Sequence, residues 1–161
     1  MVDTASNPET ELSVRSLEPG DLADVVALDT VLTGTTKQDY WEGVFQRVLD
    51  DESRIGLVLE GEVGLEGYLF GEIRAFEFGS AMCGWILALG VRPETTRKGR
   101  ASSLLEEAKL RFRKLGVSSL RTMVTRTDVP FLALFRRHGF VGGPFVQLEL
   151  DIEEKIEEKI E

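Results

Sequence analysis

Leu89-Gly-Val-Arg-Pro-Glu-Thr-Thr-Arg-Lys-Gly-Arg-Ala-Ser-Ser103 is the stretch on which the reading of this chain turns. It joins an apolar run, Ala81 to Val91, to an amphipathic segment at 101–115 whose Ala101, Leu104, Leu105, Ala108, Phe112 and Leu115 share one helical face. Arg92-Pro93 ends the run, because proline has no N–H to give to a sheet. Gly99 lets the backbone turn sharply and approach a ligand. The first N–H groups of the helix lack intrahelical partners, and the helix dipole adds partial positive charge there. Arg97, Lys98 and Arg100 place three cations round the same turn. Together these make an anion site that suits a pyrophosphate. Neither GxxxxGK with a following Ser or Thr nor GxGxxG is present, which excludes the two common nucleotide loops. Over these residues alone, an ordinary basic helix start would look the same.

Upstream, Leu12 to Ser16 alternates as a short strand, and Asp21 is placed to cap a helix that begins at Leu22. Tyr40, Trp41, Val44, Phe45 and Val48 recur at helical spacing over 38–50. Ile55 to Leu59 and Val63 to Phe76 read as strands joined at Glu60-Gly-Glu62. The run at 81–91, apolar without alternation, reads as a strand covered on both faces. Downstream, Gly116 closes the helix at 101–115, and Leu120 to Val124 is a strand. Asp128-Val-Pro130 opens a short helix that Gly139 ends. Phe145 to Ile152 alternates as a last strand, with a further small one at 140–142. The order predicts an α/β fold: a mixed, mostly antiparallel sheet with helices on both faces.

The 161 residues suit one domain, 12–151, between a flexible acidic start, 1–11, and an acidic tail, 152–161, that reads as a helix. No apolar run approaches the roughly eighteen residues of a membrane span, and the start lacks the pattern of a signal peptide. A lone Cys83 and a lone His138 argue against a disulfide or a zinc site, and the expected compartment is the cytoplasm. The net charge of −9 argues against nucleic acid as a partner. It is unevenly spread. Residues 12–90 hold five basic and fourteen acidic side chains, whereas residues 91–150 hold twelve basic and five acidic, so the two halves suit ligands of opposite charge.

Val91 to Leu105 resembles the acetyl-coenzyme A signature of the GNAT acetyltransferases, Q/R-x-x-G-x-G/A after a strand, with Thr96, Gly99 and Ala101 at its fixed positions. Leu134, Phe135, Gly139 and Phe140 resemble the second landmark of that family. Within the family the wording is similar to the ribosomal-protein alanine acetyltransferase type. The resemblance implies an N-acetyltransferase in which a primary amine attacks acetyl-CoA directly. It implies that Leu89, Val91, Thr96, Arg97, Lys98, Gly99, Arg100, Ala101, Ser102, Asp128 and Phe135 hold the donor. Three positions depart from the pattern: Thr96 stands for Arg or Gln, Asp128 for Asn, and Phe135 for a tyrosine that protonates the leaving thiolate. A thiol with a pKa near ~8.5 leaves without that proton.

The run at 81–91 contains no Asp or Glu, so a base must come from elsewhere. Glu72 and then Glu77, acting through water, are the candidates, ahead of Asp39 and Glu42. Each also reads as an ordinary surface acid. Tyr40 and Trp41 are candidate acceptor-channel residues. The acceptor expected is an amine on a basic peptide or a protein N-terminus, with the enzyme a monomer or homodimer. A non-catalytic CoA-binding module, or an enzyme using another acyl-CoA, is the alternative.

Overall fold

The apolar runs pair in the order in which they occur along the chain. A computed structural model describes residues 12–152 apart from Val63, Thr96 and Arg97. The expected flexible start and nearly all of the acidic tail lie outside the described residues. Five strands, β1 (Ser13–Ser16), β2 (Arg54–Gly61), β3 (Gly64–Arg74), β4 (Cys83–Val91) and β5 (Leu120–Arg121), form one sheet in sequential order. Every pair is antiparallel except β4 with β5, which is parallel. The helices are α1 (Leu22–Thr33), α2 (Gln38–Asp50), α3 (Arg100–Lys114) and α4 (Val129–Arg137). None is long and apolar enough to cross a membrane.

Both sheet faces are covered, which explains why β2, β3 and β4 lack clean polar alternation. On one face Leu57, Leu59, Leu69 and Ile86 pack with Leu104, Leu105, Ala108 and Phe112 of α3 and with Leu134 and Phe135 of α4. On the other, Val58, Tyr68 and Phe70 pack with Val25 and Leu28 of α1 and with Trp41 and Phe45 of α2. Glycines bring α3 close to the sheet. A Cβ at Gly71 or at Gly84 would lie 2.8 Å from the Phe112 ring.

Three expectations change. Asp21 does not cap α1. Its carboxylate accepts two hydrogen bonds of 2.8 Å from Arg15 and one of 2.7 Å from the Glu18 N–H, closing a 3-10 turn ahead of the helix. Nor do Phe145 to Ile152 or residues 140–142 form strands. β5 stops at Arg121 instead of running to Val124, and the next residue, Thr122, donates its hydroxyl to the Ile86 carbonyl at 3.1 Å.

Phe112 is 1% exposed and fills the slot that two glycines leave open. Phe112→Ala should therefore cost about 3–5 kcal/mol in a urea unfolding series. The Arg15 guanidinium holds the Asp21 carboxyl below its ordinary value, helped by the Glu18 N–H. A depressed folded value means stability that is present above the unfolded carboxylate range and lost as pH falls through the folded value. The stability gap between the wild type and Asp21→Asn should thus close on acidification.

Candidate active site

The Arg92 N–H donates to the Glu66 carbonyl at 2.8 Å, which sets the phase of the β3–β4 ladder. In an antiparallel pair the bonding direction alternates, so Leu89 and Val91 turn their N–H and C=O groups to the opposite edge of β4. β5 pairs there only with Gly84 and Trp85. Beyond Trp85 the two strands part, and the outer edge of β4 is open. A bulge accompanies the parting: Phe70 pairs with Ala88 but Gly71 with Ile86, which leaves Leu87 as an extra residue on β4.

The wedge between the strands is a cavity of about 490 Å³. One wall is Leu87 to Leu89, Thr122 to Thr125, Asp128, Phe131 and Phe135; the other is Asp29, Lys37, Tyr40, Trp41 and Tyr68. Asp29, 3% exposed on the core side of α1, organises that second wall. It accepts hydrogen bonds from Trp41 Nε1 at 2.9 Å and from the Tyr68 hydroxyl at 3.3 Å, and it pairs with Lys37 Nζ at 2.9 Å. Burial and the neighbouring carboxylate push the Tyr68 phenol well above its ordinary value, so the hydroxyl stays protonated and donates. The sequence reading missed Asp29. The signal was available: an acid at i+4 from Val25 and beside Leu28 stands on a buried helical face, where an ionised group needs partners.

At the other end of β4, Gly99 has φ +76°, and a Cβ there would meet no atom within 4 Å, so the turn is open to a ligand. The first ladder bond of α3 runs from the Ser103 N–H to the Gly99 carbonyl at 2.9 Å, so the N–H groups of residues 100–102 precede the ladder. Lys98 is exposed beside them. Arg100 is engaged inward: its Nε donates to Glu66 Oε2 at 2.8 Å, and Glu66 is 4% exposed. The Ser102 hydroxyl lies 2.9 Å from His138 Nε2, while His138 Nδ1 lies 2.9 Å from Glu106, tying the first turn of α3 to the end of α4. Thr96 and Arg97 lie outside the described residues.

The structure gathers Leu89, Asp128, Phe135, Tyr40 and Trp41 round the cavity. Asp128 also caps α4, accepting from the Phe131 N–H at 3.2 Å, as its place before Pro130 implied. Tyr40 is half exposed and meets Trp41 edge-on at 5.2 Å between ring centres. Phe135 is buried, with its ring 5.0 Å from that of Phe140. Neither Glu72 nor Glu77 lines this cavity. Glu72 is clamped between Arg54 and Arg74, and Glu77 stands on an exposed turn. Apart from Asp29 and Asp128, no acid lines the cavity among the described residues.

Residues 24–140 match the Acetyltransferase (GNAT) family. The chain therefore belongs to that family and is an acyl-CoA-dependent N-acetyltransferase, with acetyl-CoA as its acyl donor. Solved structures of similar fold include AAC(6')-Iy in complex with the bisubstrate analog CoA-S-monomethyl-acetylneamine, with a TM-score of 0.79 at 14% identity over 88% of this chain and 99% of that one. The aminoglycoside 6'-N-acetyltransferase AAC(6')-Ih from Acinetobacter baumannii gives 0.74 at 16% identity, again over 88% and 99%. Glucosamine-6-phosphate N-acetyltransferase from Arabidopsis thaliana gives 0.70 at 15% identity with the same coverage. Compared by sequence, no curated protein matches the chain.

The second wall depends on the partners of Asp29. Trp41→Phe removes one donor from a buried carboxylate and should cost about 1–3 kcal/mol by chemical denaturation. Acetyl-CoA affinity, measured by calorimetry, should be unchanged, because the donor elements do not include Trp41.

Proposed function

We propose that this enzyme acetylates a primary amine, an α-amine of a peptide or protein in preference to a lysine side chain, and favours acceptors with basic residues nearby. The observation that carries the reading is the open outer edge of β4, with a cavity at its bulge and an anion-binding turn at its end. The pyrophosphate of acetyl-CoA sits on the N–H groups of residues 99–102 beside Lys98. The pantetheine amides take the place of the missing strand against Leu89 and Val91. The extended cofactor is thereby held by backbone groups, in a manner that tolerates Thr96 in place of Arg or Gln.

The acceptor enters from the side of α1 and α2. Its nitrogen attacks the thioester carbonyl carbon, the C–S bond breaks, the thiolate leaves, and the amine proton passes to water. Backbone N–H groups near the bulge stabilise the oxygen as it gains charge. Phe135 cannot protonate the thiolate, and a thiol near ~8.5 does not require it. Asp29 already accepts from three partners and Asp128 caps a helix, which leaves no free carboxylate in the cavity to act as base. That supports an amine that loses its proton readily: an α-amine near ~8 over a lysine near ~10.4. The similarity of the signature to the ribosomal-protein alanine acetyltransferase type supports the same choice. The acid-rich half, with Asp39 and Glu42 exposed on α2, supports a cationic acceptor drawn by long-range attraction.

Gly99→Glu strains a left-handed turn and sets a carboxylate in the phosphate cradle, so calorimetry should show acetyl-CoA binding lost. Lys98→Ala should cost only about 1 kcal/mol. The acceptor is tested by kcat/KM on matched basic, neutral and acidic peptides at two salt concentrations, beside neamine and glucosamine-6-phosphate. A preference for basic peptides that weakens with salt is expected. Transfer confined to lysine side chains, or a preference for either amino sugar, would replace the peptide α-amine reading.

A further inference from the structure

His138 is the one histidine of the chain, and the transfer chemistry does not use it. It stands at the end of α4, its side chain 12% exposed, between two residues of α3 that lie one turn apart. Its Nδ1 is 2.9 Å from Glu106 Oε1, and its Nε2 is 2.9 Å from Ser102 Oγ.

These two contacts decide where the hydrogens are. An ionised carboxylate only accepts, so Nδ1 carries a hydrogen in either charge state of the ring. Lys109, with Nζ 3.0 Å from the carboxylate, and then His138 hold the Glu106 carboxyl below its ordinary value, so it is ionised wherever an imidazole titrates. In the neutral ring Nε2 is therefore bare, and the Ser102 hydroxyl gives its one hydrogen to it. The serine oxygen then has only lone pairs left to offer. In the protonated ring Nε2–H donates to Ser102 Oγ, and the hydroxyl hydrogen is released for another acceptor.

Ser102 belongs to the turn whose N–H groups, at residues 100–102, precede the ladder of α3. On the reading of that turn as the pyrophosphate seat, on which this inference rests, we propose that His138 is a positioning residue for the donor: its protonated ring turns the Ser102 O–H toward a phosphate oxygen, and acetyl-CoA binding takes up a proton there. An ionised phosphate accepts hydrogen bonds and attracts cations, so it favours the charged ring on both counts. By linkage the charged ring favours the phosphate equally. The sign follows. Bound donor moves the titration of the ring to higher pH, so affinity is full below the midpoint of the free protein and falls as pH rises from there to the midpoint of the complex.

The charged surroundings of the ring are otherwise constant. Glu106 and Lys109 face it from α3, and Arg136 and Arg137 precede it on α4. The cavity that His138 lines beside β5 also carries Arg74, Glu77, Arg113 and Arg121, while residues 139–148 have no ionisable side chain. Arginine, lysine and carboxylate groups do not change charge between about pH 6 and 8, whereas an imidazole does.

One histidine gives one set of ring signals in the proton NMR spectrum of the untagged chain, so its titration can be followed with and without saturating acetyl-CoA. The midpoint should move to higher pH in the complex. Calorimetry should give an acetyl-CoA Kd roughly tenfold lower at pH 6 than at pH 8, the worth of one hydrogen bond to a charged acceptor. His138→Gln cannot change charge and Ser102→Ala has no hydroxyl to turn, so both should lose the tightening at pH 6. The phosphomonoester of the cofactor, which titrates near ~6, acts alike in all three proteins. Calorimetric binding with a midpoint that stays in place would overturn the proposal and leave the seat standing. A full midpoint shift in Ser102→Ala would also overturn it, since charge alone would then account for the shift. Acetyl-CoA binding that Gly99→Glu leaves intact would instead overturn the seat, and this inference with it.

Discussion

Everything in this molecule is arranged round a row of backbone hydrogen-bonding groups that the protein leaves unmatched. β4 is satisfied along one side by β3 and, on the other, loses β5 after Trp85, so Leu89 and Val91 face an open edge. An unmatched edge inside a sheet is costly in an apolar setting and a template for any extended amide chain. The bulge at Leu87 and the turn of Thr122 toward Ile86 keep β5 from closing the gap. Two full hydrophobic layers, one on each face, supply the stability that lets the sheet remain incomplete at this place.

The two sides of the wedge are secured differently. On the donor side, backbone geometry dominates: a left-handed Gly99, the start of α3, and the Glu66–Arg100 pair that ties that start to β3. Arg100, counted among the loop cations, thus spends its charge inward, and the positive character offered to a ligand there rests more on N–H groups and on Lys98. On the acceptor side, a single buried carboxylate fastens α1, α2 and β3 together through Lys37, Trp41 and Tyr68. With Asp29 on α1 and its partners on α2, on the residue just before it and on β3, one carboxylate joins three elements at this wall. The same carboxylate is a poor base for that reason.

Much of this was legible in the sequence. Apolar runs with glycine and proline punctuation gave the order of the five strands, and Gly99 gave the sharp turn into α3, because local rules govern both. The resemblance implied that Leu89 and Val91 hold the donor, and both face the open edge of β4. The base candidates, Glu72 and Glu77, do not line the cavity. Glu72 looks like an isolated acid until β2 brings Arg54 beside it, a pairing no local pattern encodes. Likewise Phe145–Ile152 has every local mark of a strand and joins no sheet, because pairing depends on a neighbour that no local pattern supplies.

The glycines under α3 have a mechanical consequence. With the Phe112 ring seated where Gly71 and Gly84 have no side chains, helix and sheet meet without slack, and α3 has no room to slide along its axis. A cofactor phosphate arriving at the front of that helix pushes against a fixed post. Adjustment on loading then falls to the opposite layer, where α1 and α2 are pinned at a polar hub whose lysine is more than one-third exposed and whose bonds can be exchanged for those of an incoming cation. The layer under α3 is tightly packed, whereas the layer of α1 and α2 is joined at a polar hub that solvent reaches.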